Sequence, residues 1–265
     1  MRQKSKLLII DDEQVVIDSV TKLCGSEGFY VDSALDAHSG LKKVENKNYD
    51  LIICDIMMPD MDGFQFLEIV KEKKIQSPLI ITTGYSTVEN AVRSLNEGAI
   101  DFLAKPFTLD ELISVVKRGL RYYAICLDMK SKNSSSILYV DCPASYYSLG
   151  YAQWAFPEID GTIKIGATDL FLRTIEEIEK TILSEFEDEI VQGNPCAYFR
   201  TKDDITHTLL SPVSGKIVRR NELHLTNPAL ITKDPFFEGW IYSVIPTDPN
   251  YEIKNLTPGS AVRNY

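Results

Sequence analysis

Three carboxylates, a hydroxyl and an ammonium stand where short apolar runs end. Asp11 and Asp12 follow residues 7–10, Asp55 follows 51–54, Thr83 follows 79–82 and Lys105 follows 102–104. Runs this short and this rich in Leu and Ile suit strands buried on both faces. The polar side chains then gather at the carboxyl edge of a parallel sheet, the edge at which open α/β sheets bind ligands.

Crowded carboxylates repel one another, and an oxygen-only ligand set suits a hard cation such as Mg²⁺. A phosphoryl group could be shared between that metal, Lys105 and Thr83. Phosphoryl transfer depends mainly on positioning and charge neutralisation, with Asp55 as a carboxylate nucleophile. The product is an aspartyl phosphate, a labile acyl phosphate suited to a reversible switch. Taken singly, Asp55 reads as a helix cap or solvated loop residue, Thr83 as a turn hydroxyl and Lys105 as a surface charge. Their placement at successive strand ends is what points to chemistry.

Residues 1–122 resemble a response-regulator receiver domain of two-component systems. The resemblance rests on Leu8-Ile9-Ile10-Asp11-Asp12-Glu13, on Asp55-Ile56-Met57-Met58-Pro59-Asp60-Met61-Asp62-Gly63, on Thr82-Thr83-Gly84 and on Lys105-Pro106-Phe107. It implies that Asp55 is the phosphoacceptor and that Asp11, Asp12, Asp55 and the main-chain carbonyl of Met57 hold Mg²⁺. Thr83 corresponds to the switch hydroxyl, Lys105 to the family's ammonium and Phe102 to the aromatic that changes rotamer with the switch. A sensor histidine kinase is the implied partner, and a receiver-mediated dimer is compatible with the family.

The segments between these motifs predict five strand–helix units in a doubly wound, flavodoxin-like parallel sheet with right-handed crossovers. Residues 14–23 and 63–73 read as amphipathic helices, Asn96-Glu97-Gly98 as a helix end, and Asp110 as the N-cap of a last helix running to about Met129. Residues 130–136 are polar and serine-rich, which suits a flexible join.

At 265 residues and 44% apolar content, the chain is sized for about two globular domains. No apolar stretch approaches the roughly 20 residues of a membrane span, and no signal peptide is expected. Five widely spaced cysteines predict reduced thiols and a cytoplasmic setting. Residues 1–122 carry 15 basic and 19 acidic side chains, and the remainder 13 and 19. Neither half is basic, which argues against nucleic acid as a partner, with Arg219 and Arg220 the one local basic patch singled out.

From about Tyr146 the sequence predicts a β-rich unit. Asp160-Gly161 marks a hairpin between residues 154–156 and 162–165, and a second hairpin pairs 197–201 with 206–210 across Lys202-Asp203-Asp204. Residues 170–190 carry Ile175, Ile178 and Ile182 at helical spacing, a pattern that strand pairing could override.

Residues 146–256 resemble the glycine cleavage H protein, a lipoyl-carrier fold of two small sheets. Gly166-Ala167-Thr168-Asp169, Ser211-Pro212-Val213-Ser214-Gly215-Lys216-Ile217-Val218, Asn221-Glu222, Asn227-Pro228-Ala229-Leu230, Asp234-Pro235 and Glu238-Gly239-Trp240 carry it. The resemblance implies a lipoylated lysine at a hairpin tip with a glutamate three residues upstream. Counting without a gap puts Asp204 at that tip, while Lys202 stands two residues earlier with Phe199 in the glutamate's place. Domain limits of 1–122, 123–145 (helical extension and linker), 146–257 and 258–265 (tail) follow. The favoured expectation is a phosphorylation-controlled protein whose second half docks a protein partner and turns over no metabolite. The alternative is a regulated lipoyl carrier with lipoate on Lys202. His207 and His224 are the second half's histidines, and neither has a nucleophile at a catalytic spacing.

Overall fold

Five strands, β1 (Lys6–Ile10), β2 (Tyr30–Ala34), β3 (Leu51–Asp55), β4 (Leu79–Thr83) and β5 (Asp101–Ala104), alternate with five helices in the computed structural model, which describes residues 4–85, 87–130 and 139–259. The helices are α1 (Gln14–Ser26), α2 (Ala37–Asn46), α3 (Gly63–Glu72), α4 (Val88–Glu97) and α5 (Leu109–Lys130). All strand pairs are parallel and the order is β2-β1-β3-β4-β5, the doubly wound arrangement expected from the sequence. Helices on both faces leave β3 and β4 buried along their whole length, which is why each opens on an apolar run and turns polar only in its last one or two residues.

Local chemistry sets the helix ends. Asp62 caps α3 reciprocally with Gln65, Thr87 caps α4, and Gly98 ends α4 in the left-handed conformation at φ 111°. The cap expected at Asp110 belongs instead to Thr108. Its hydroxyl accepts the Glu111 N–H at 3.3 Å while the Glu111 carboxylate accepts the Thr108 N–H at 2.7 Å. Asp110 therefore sits inside the first turn, where its charge favours the helix dipole. Helix α5 runs through Lys130, and residues 131–136 of the expected flexible join lie outside the described residues. The chain divides into two compact units between Ala124 and Ile125.

The second unit is antiparallel throughout. Its strands are β6 (Tyr147–Leu149), β7 (Gln153–Pro157), β8 (Ile163–Ala167), β9 (Ile178–Leu183), β10 (Glu189–Ile190), β11 (Pro195–Thr201), β12 (Thr206–Leu210), β13 (Gly215–Arg220), β14 (Trp240–Pro246) and β15 (Thr257–Pro258). Seven form one sheet in the order β10-β13-β14-β8-β7-β6-β15, and β12-β11-β9 form a second. Both predicted hairpins are present, as β7–β8 and β11–β12. Trp154 is fully buried and donates Nε1–H to the carbonyls of Ala167 (2.9 Å) and Pro235 (3.1 Å), with the Tyr146 ring edge-on 5.1 Å away.

Two points that the sequence leaves open are decided here, and one boundary moves. Residues 170–190 hold only a short helix, α6 (Asp169–Thr174), before β9, because Ile182 pairs opposite Tyr198 of β11 and pairing overrides the helical spacing. The tail drawn from residue 258 begins inside β15, and the Gly259 N–H donates to the Tyr146 carbonyl at 2.7 Å. The basic patch is neutralised: Arg219 lies 2.8 Å from Glu158, and Arg220 sits between Glu185 (2.6 Å) and Glu222 (3.0 Å). All five cysteines are free thiols, and burial pushes those of Cys24 and Cys196 up to about 12. Among the described residues, no helix is long and apolar enough to cross a membrane.

Asp32 on β2 shows how charge is managed at the sheet edge. It accepts from Lys43, from Lys47 at 3.2 Å, from the Tyr49 hydroxyl at 2.7 Å and from the Ser33 N–H at 2.9 Å. Burial works against the charge, yet these donors hold the carboxyl well below the usual range. A folded pKa below the unfolded one, about 3.9, gives stability that is complete above that pH and fades as pH falls through the depressed value. Asp32→Asn is expected to cost about 1–3 kcal/mol at pH 7, a gap that narrows below about pH 4. Coincident urea midpoints of the two proteins at pH 7 would contradict this.

Candidate functional site

Register builds the site. Ile10 of β1 lies opposite Cys54 of β3, so the next residues, Asp11 and Asp55, emerge side by side. Asp55 is in turn opposite Thr82, and Thr83 opposite Ala104. The Lys105 N–H donates to the Thr83 carbonyl at 2.8 Å, which fixes the lysine one residue beyond β5.

One oxygen from each of Asp11, Asp12 and Asp55 lies within 4.8 Å of the others. Asp11 is fully buried, Asp55 is 3% exposed and Asp12 faces solvent. Lys105 Nζ stands 2.7 Å from Asp11 Oδ2 and 3.1 Å from Asp55 Oδ1, with Glu13 Oε1 at 4.0 Å. Asp11 Oδ1 accepts the Glu13 N–H at 3.1 Å. Apart from that ammonium, Asp11 Oδ2 and Asp55 Oδ1 have no partner among the described residues. Burial pushes the Asp55 carboxyl above the usual carboxylate range; Lys105 pulls it back while Asp11 and Asp12 add to the push. Burial works against the Lys105 charge, but contact with Asp11 and the charge of Asp55 outweigh it and hold the ammonium above its usual range.

Two unit charges about 4 Å apart interact by about 4 kcal/mol at an effective dielectric near 20. Lys105 offsets the Asp11–Asp55 repulsion but leaves the cluster of three carboxylates and one ammonium at a formal charge of −2. An all-oxygen, net dianionic set fits a hard divalent cation.

The remaining sequence-predicted residues fall around this cluster. Thr83 is fully buried, and its Oγ1 accepts the Tyr85 N–H at 3.1 Å. Phe102 lies opposite Ile81, two residues before Thr83's own partner, so Thr83 and Phe102 share one face of the sheet. Phe102 is half-buried against the core of that face. Met57 lies in the loop after β3, with an exposed side chain. Gly63 opens α3 against the Asp55 main chain, a placement that nothing local in the sequence gives.

In the second unit, Lys202 opens the four-residue loop, residues 202–205, between β11 and β12. The Thr201 N–H donates to the Ile205 carbonyl at 2.9 Å, and Asp204 takes the left-handed conformation at φ 63°. The Lys202 side chain is 61% exposed, its Nζ 2.8 Å from Glu177 Oε1, and its N–H donates to the Glu177 carbonyl at 3.0 Å. Phe199 is fully buried. His207 and His224 are both buried; burial pushes His224 below its usual pKa, and its Nε2 lies 3.0 Å from the Trp240 carbonyl.

Family models match residues 7–117 as a response regulator receiver domain and residues 145–265 as a glycine cleavage H-protein. The chain joins a receiver domain to a glycine cleavage H-protein domain. The receiver half is 39% identical over 118 residues to the transcriptional regulatory protein HprR of Escherichia coli K12, covering 44% of this chain and 52% of that protein. It is 34% identical over 116 residues to the transcriptional regulatory protein DltR of Streptococcus agalactiae serotype III, with coverage of 44% and 52%. A CheY-like receiver structure from Methanospirillum hungatei is 34% identical, covering 46% of this chain and 98% of that one at a TM-score of 0.44. The chain thus spans about half the length of these curated relatives, which are transcriptional regulatory proteins.

Receiver domains bind Mg²⁺ at an acidic site, and the cluster of Asp11, Asp12 and Asp55 fits that ion in charge and donor type. H-protein domains carry lipoate on a lysine. Here the fit is partial: Lys202 offers an exposed ammonium at the hairpin, but the gapless tip residue is Asp204, a carboxylate. Lys105 competes with a cation for the same carboxylates. Lys105→Ala is therefore expected to hold or raise Mg²⁺ affinity, by up to about tenfold, and a large loss in a calorimetric titration would overturn this account of the charge balance.

Proposed function

We propose that this protein is a response regulator phosphorylated on Asp55 by a sensor histidine kinase, with an H-protein domain that docks a protein partner instead of binding DNA. The dianionic cluster at the carboxyl edge of the receiver sheet carries this reading. Asp11 is committed through both oxygens, to Glu13 and to Lys105, whereas Lys105 meets Asp55 at Oδ1. Asp12 faces solvent, so Asp55 is the buried member suited to attack. An Asp55 oxygen bonds to phosphorus as the phosphohistidine N–P bond breaks, the electron pair returns to the imidazole nitrogen, and that nitrogen is reprotonated from solvent. Bound Mg²⁺ supplies the charge that neutralises the phosphoryl oxygens. Lys105 pairs with one of those oxygens, and Thr83 turns its hydroxyl from the Tyr85 N–H toward the phosphoryl group, with Phe102 repacking on the same face.

An acidic second half and the neutralised Arg219 and Arg220 support a protein partner over nucleic acid. The buried histidines support switch chemistry without metabolite turnover, and the free thiols suit the cytoplasm. Asp55→Asn is expected to abolish phosphorylation by a small-molecule phosphodonor with Mg²⁺, because an amide does not attack phosphorus. Retained incorporation of phosphate in that variant would move the acceptor elsewhere.

The exposed lysine of the β11–β12 hairpin favours a second reading, a regulated carrier with lipoate on Lys202. Peptide mass spectrometry of protein from its native cells separates the two. Under the docking reading the Lys202 peptide is unmodified in cells whose own H protein is lipoylated, and a lipoyl adduct there would put the carrier first.

A further inference from the structure

Gly63 opens α3, eight residues after Asp55, and its Cα packs on the main chain of the phosphoacceptor. A Cβ there would lie 2.3 Å from the Asp55 carbonyl oxygen and 2.9 Å from Ile56 Cα. Gly63 is the first residue of a helix and has no left-handed φ, so the position demands space and not conformational freedom. The atoms met are backbone. At Gly40 and Gly119, by contrast, the nearest atoms to a Cβ would be the side-chain ends Ile10 Cδ1 (2.5 Å) and Leu51 Cδ1 (2.6 Å), which rotamer changes can move.

The surroundings leave little room to yield. The Ile56 carbonyl accepts both the Met58 N–H (3.1 Å) and the Gly63 N–H (3.0 Å), closing residues 56–63 into a loop that carries Met57. The Ile56 N–H is held by the Thr82 carbonyl at 3.0 Å, and the start of α3 is held by the reciprocal Asp62–Gln65 cap. Relieving the contact needs a displacement of about 1 Å, and misplacement on that scale can cost about 100-fold in a positioned reaction.

We infer that Gly63 is a positioning residue of the phosphoryl site, whose missing side chain sets where the Asp55 main chain and the Met57 carbonyl lie. The inference rests on the proposed Asp55 reading.

The test is a calorimetric Mg²⁺ titration of the full chain, with the rate of phosphorylation by acetyl phosphate as a second readout. Gly63→Ala is expected to weaken Mg²⁺ by about 10–100-fold and to slow phosphorylation, with an unchanged far-UV spectrum. Gly25→Ala, whose Cβ meets nothing within 4 Å, should match the wild type. A folded Gly63→Ala protein that binds Mg²⁺ within about twofold of wild type overturns the inference while leaving Asp55 in place. Absence of Mg²⁺ binding and phosphorylation in the wild type overturns the reading beneath it instead. If Gly63→Ala does not fold, Gln65→Ala decides: it frees the Asp62 N–H, bonded at 3.0 Å, without adding an atom. It should then weaken Mg²⁺ several-fold, and wild-type affinity in that variant overturns the inference.

Discussion

Parallel pairing in one register is the constraint on which the receiver half depends. With Ile10 opposite Cys54 and Asp55 opposite Thr82, the sheet delivers its polar residues to one edge with no freedom to spread them. A slip of one residue in β3 would turn Asp55 to the other face and bring Cys54 or Ile56 into its place. The apolar burial of β1, β3 and β4 therefore fixes a charge arrangement that is unfavourable in itself. Asp11 and Asp55 are held in low-dielectric surroundings and touch one ammonium, which cannot balance the three carboxylates. Such a cluster responds to any charge brought to it, and a charge added at Asp55 would be felt by Thr83 and Lys105 together, since the two are joined main chain to main chain at 2.8 Å.

Much of this was legible in the sequence, for a definite reason. Strands covered on both faces are apolar until buried site residues interrupt the run, so the ends of residues 7–10, 51–54 and 79–82 mark the sheet edge directly. The half-buried edge strand β2 has no such run, and the sequence reading did not isolate it. The α5 cap went to Asp110 because both Thr108 and Asp110 are good cap formers, and only the reach of Glu111 back to the Thr108 N–H decides between them. Ile175, Ile178 and Ile182 keep a helical period, yet β9 forms because Tyr198, Phe199 and Arg200 lie alongside it. Gly63 was illegible for the same reason: its neighbour is the Asp55 carbonyl, a contact that exists only once α3 packs back against β3.

The second half turns on backbone geometry at one hairpin. The ion pair of Lys202 with Glu177 joins two side chains that are each more than half exposed, and pairs of that kind contribute about 0–1 kcal/mol. It cannot keep the ammonium from an approaching enzyme. The backbone can discriminate, because the Lys202 N–H is bonded to the Glu177 carbonyl and the turn reverses through Asp204 in the left-handed conformation. That places the lysine on the shoulder of the turn and two carboxylates, Asp203 and Asp204, beyond it. Those acids are already engaged, Asp204 by the Arg200 guanidinium and Asp203 by the Thr201 hydroxyl at 2.6 Å, so what a partner meets at the turn is its backbone shape more than free charge.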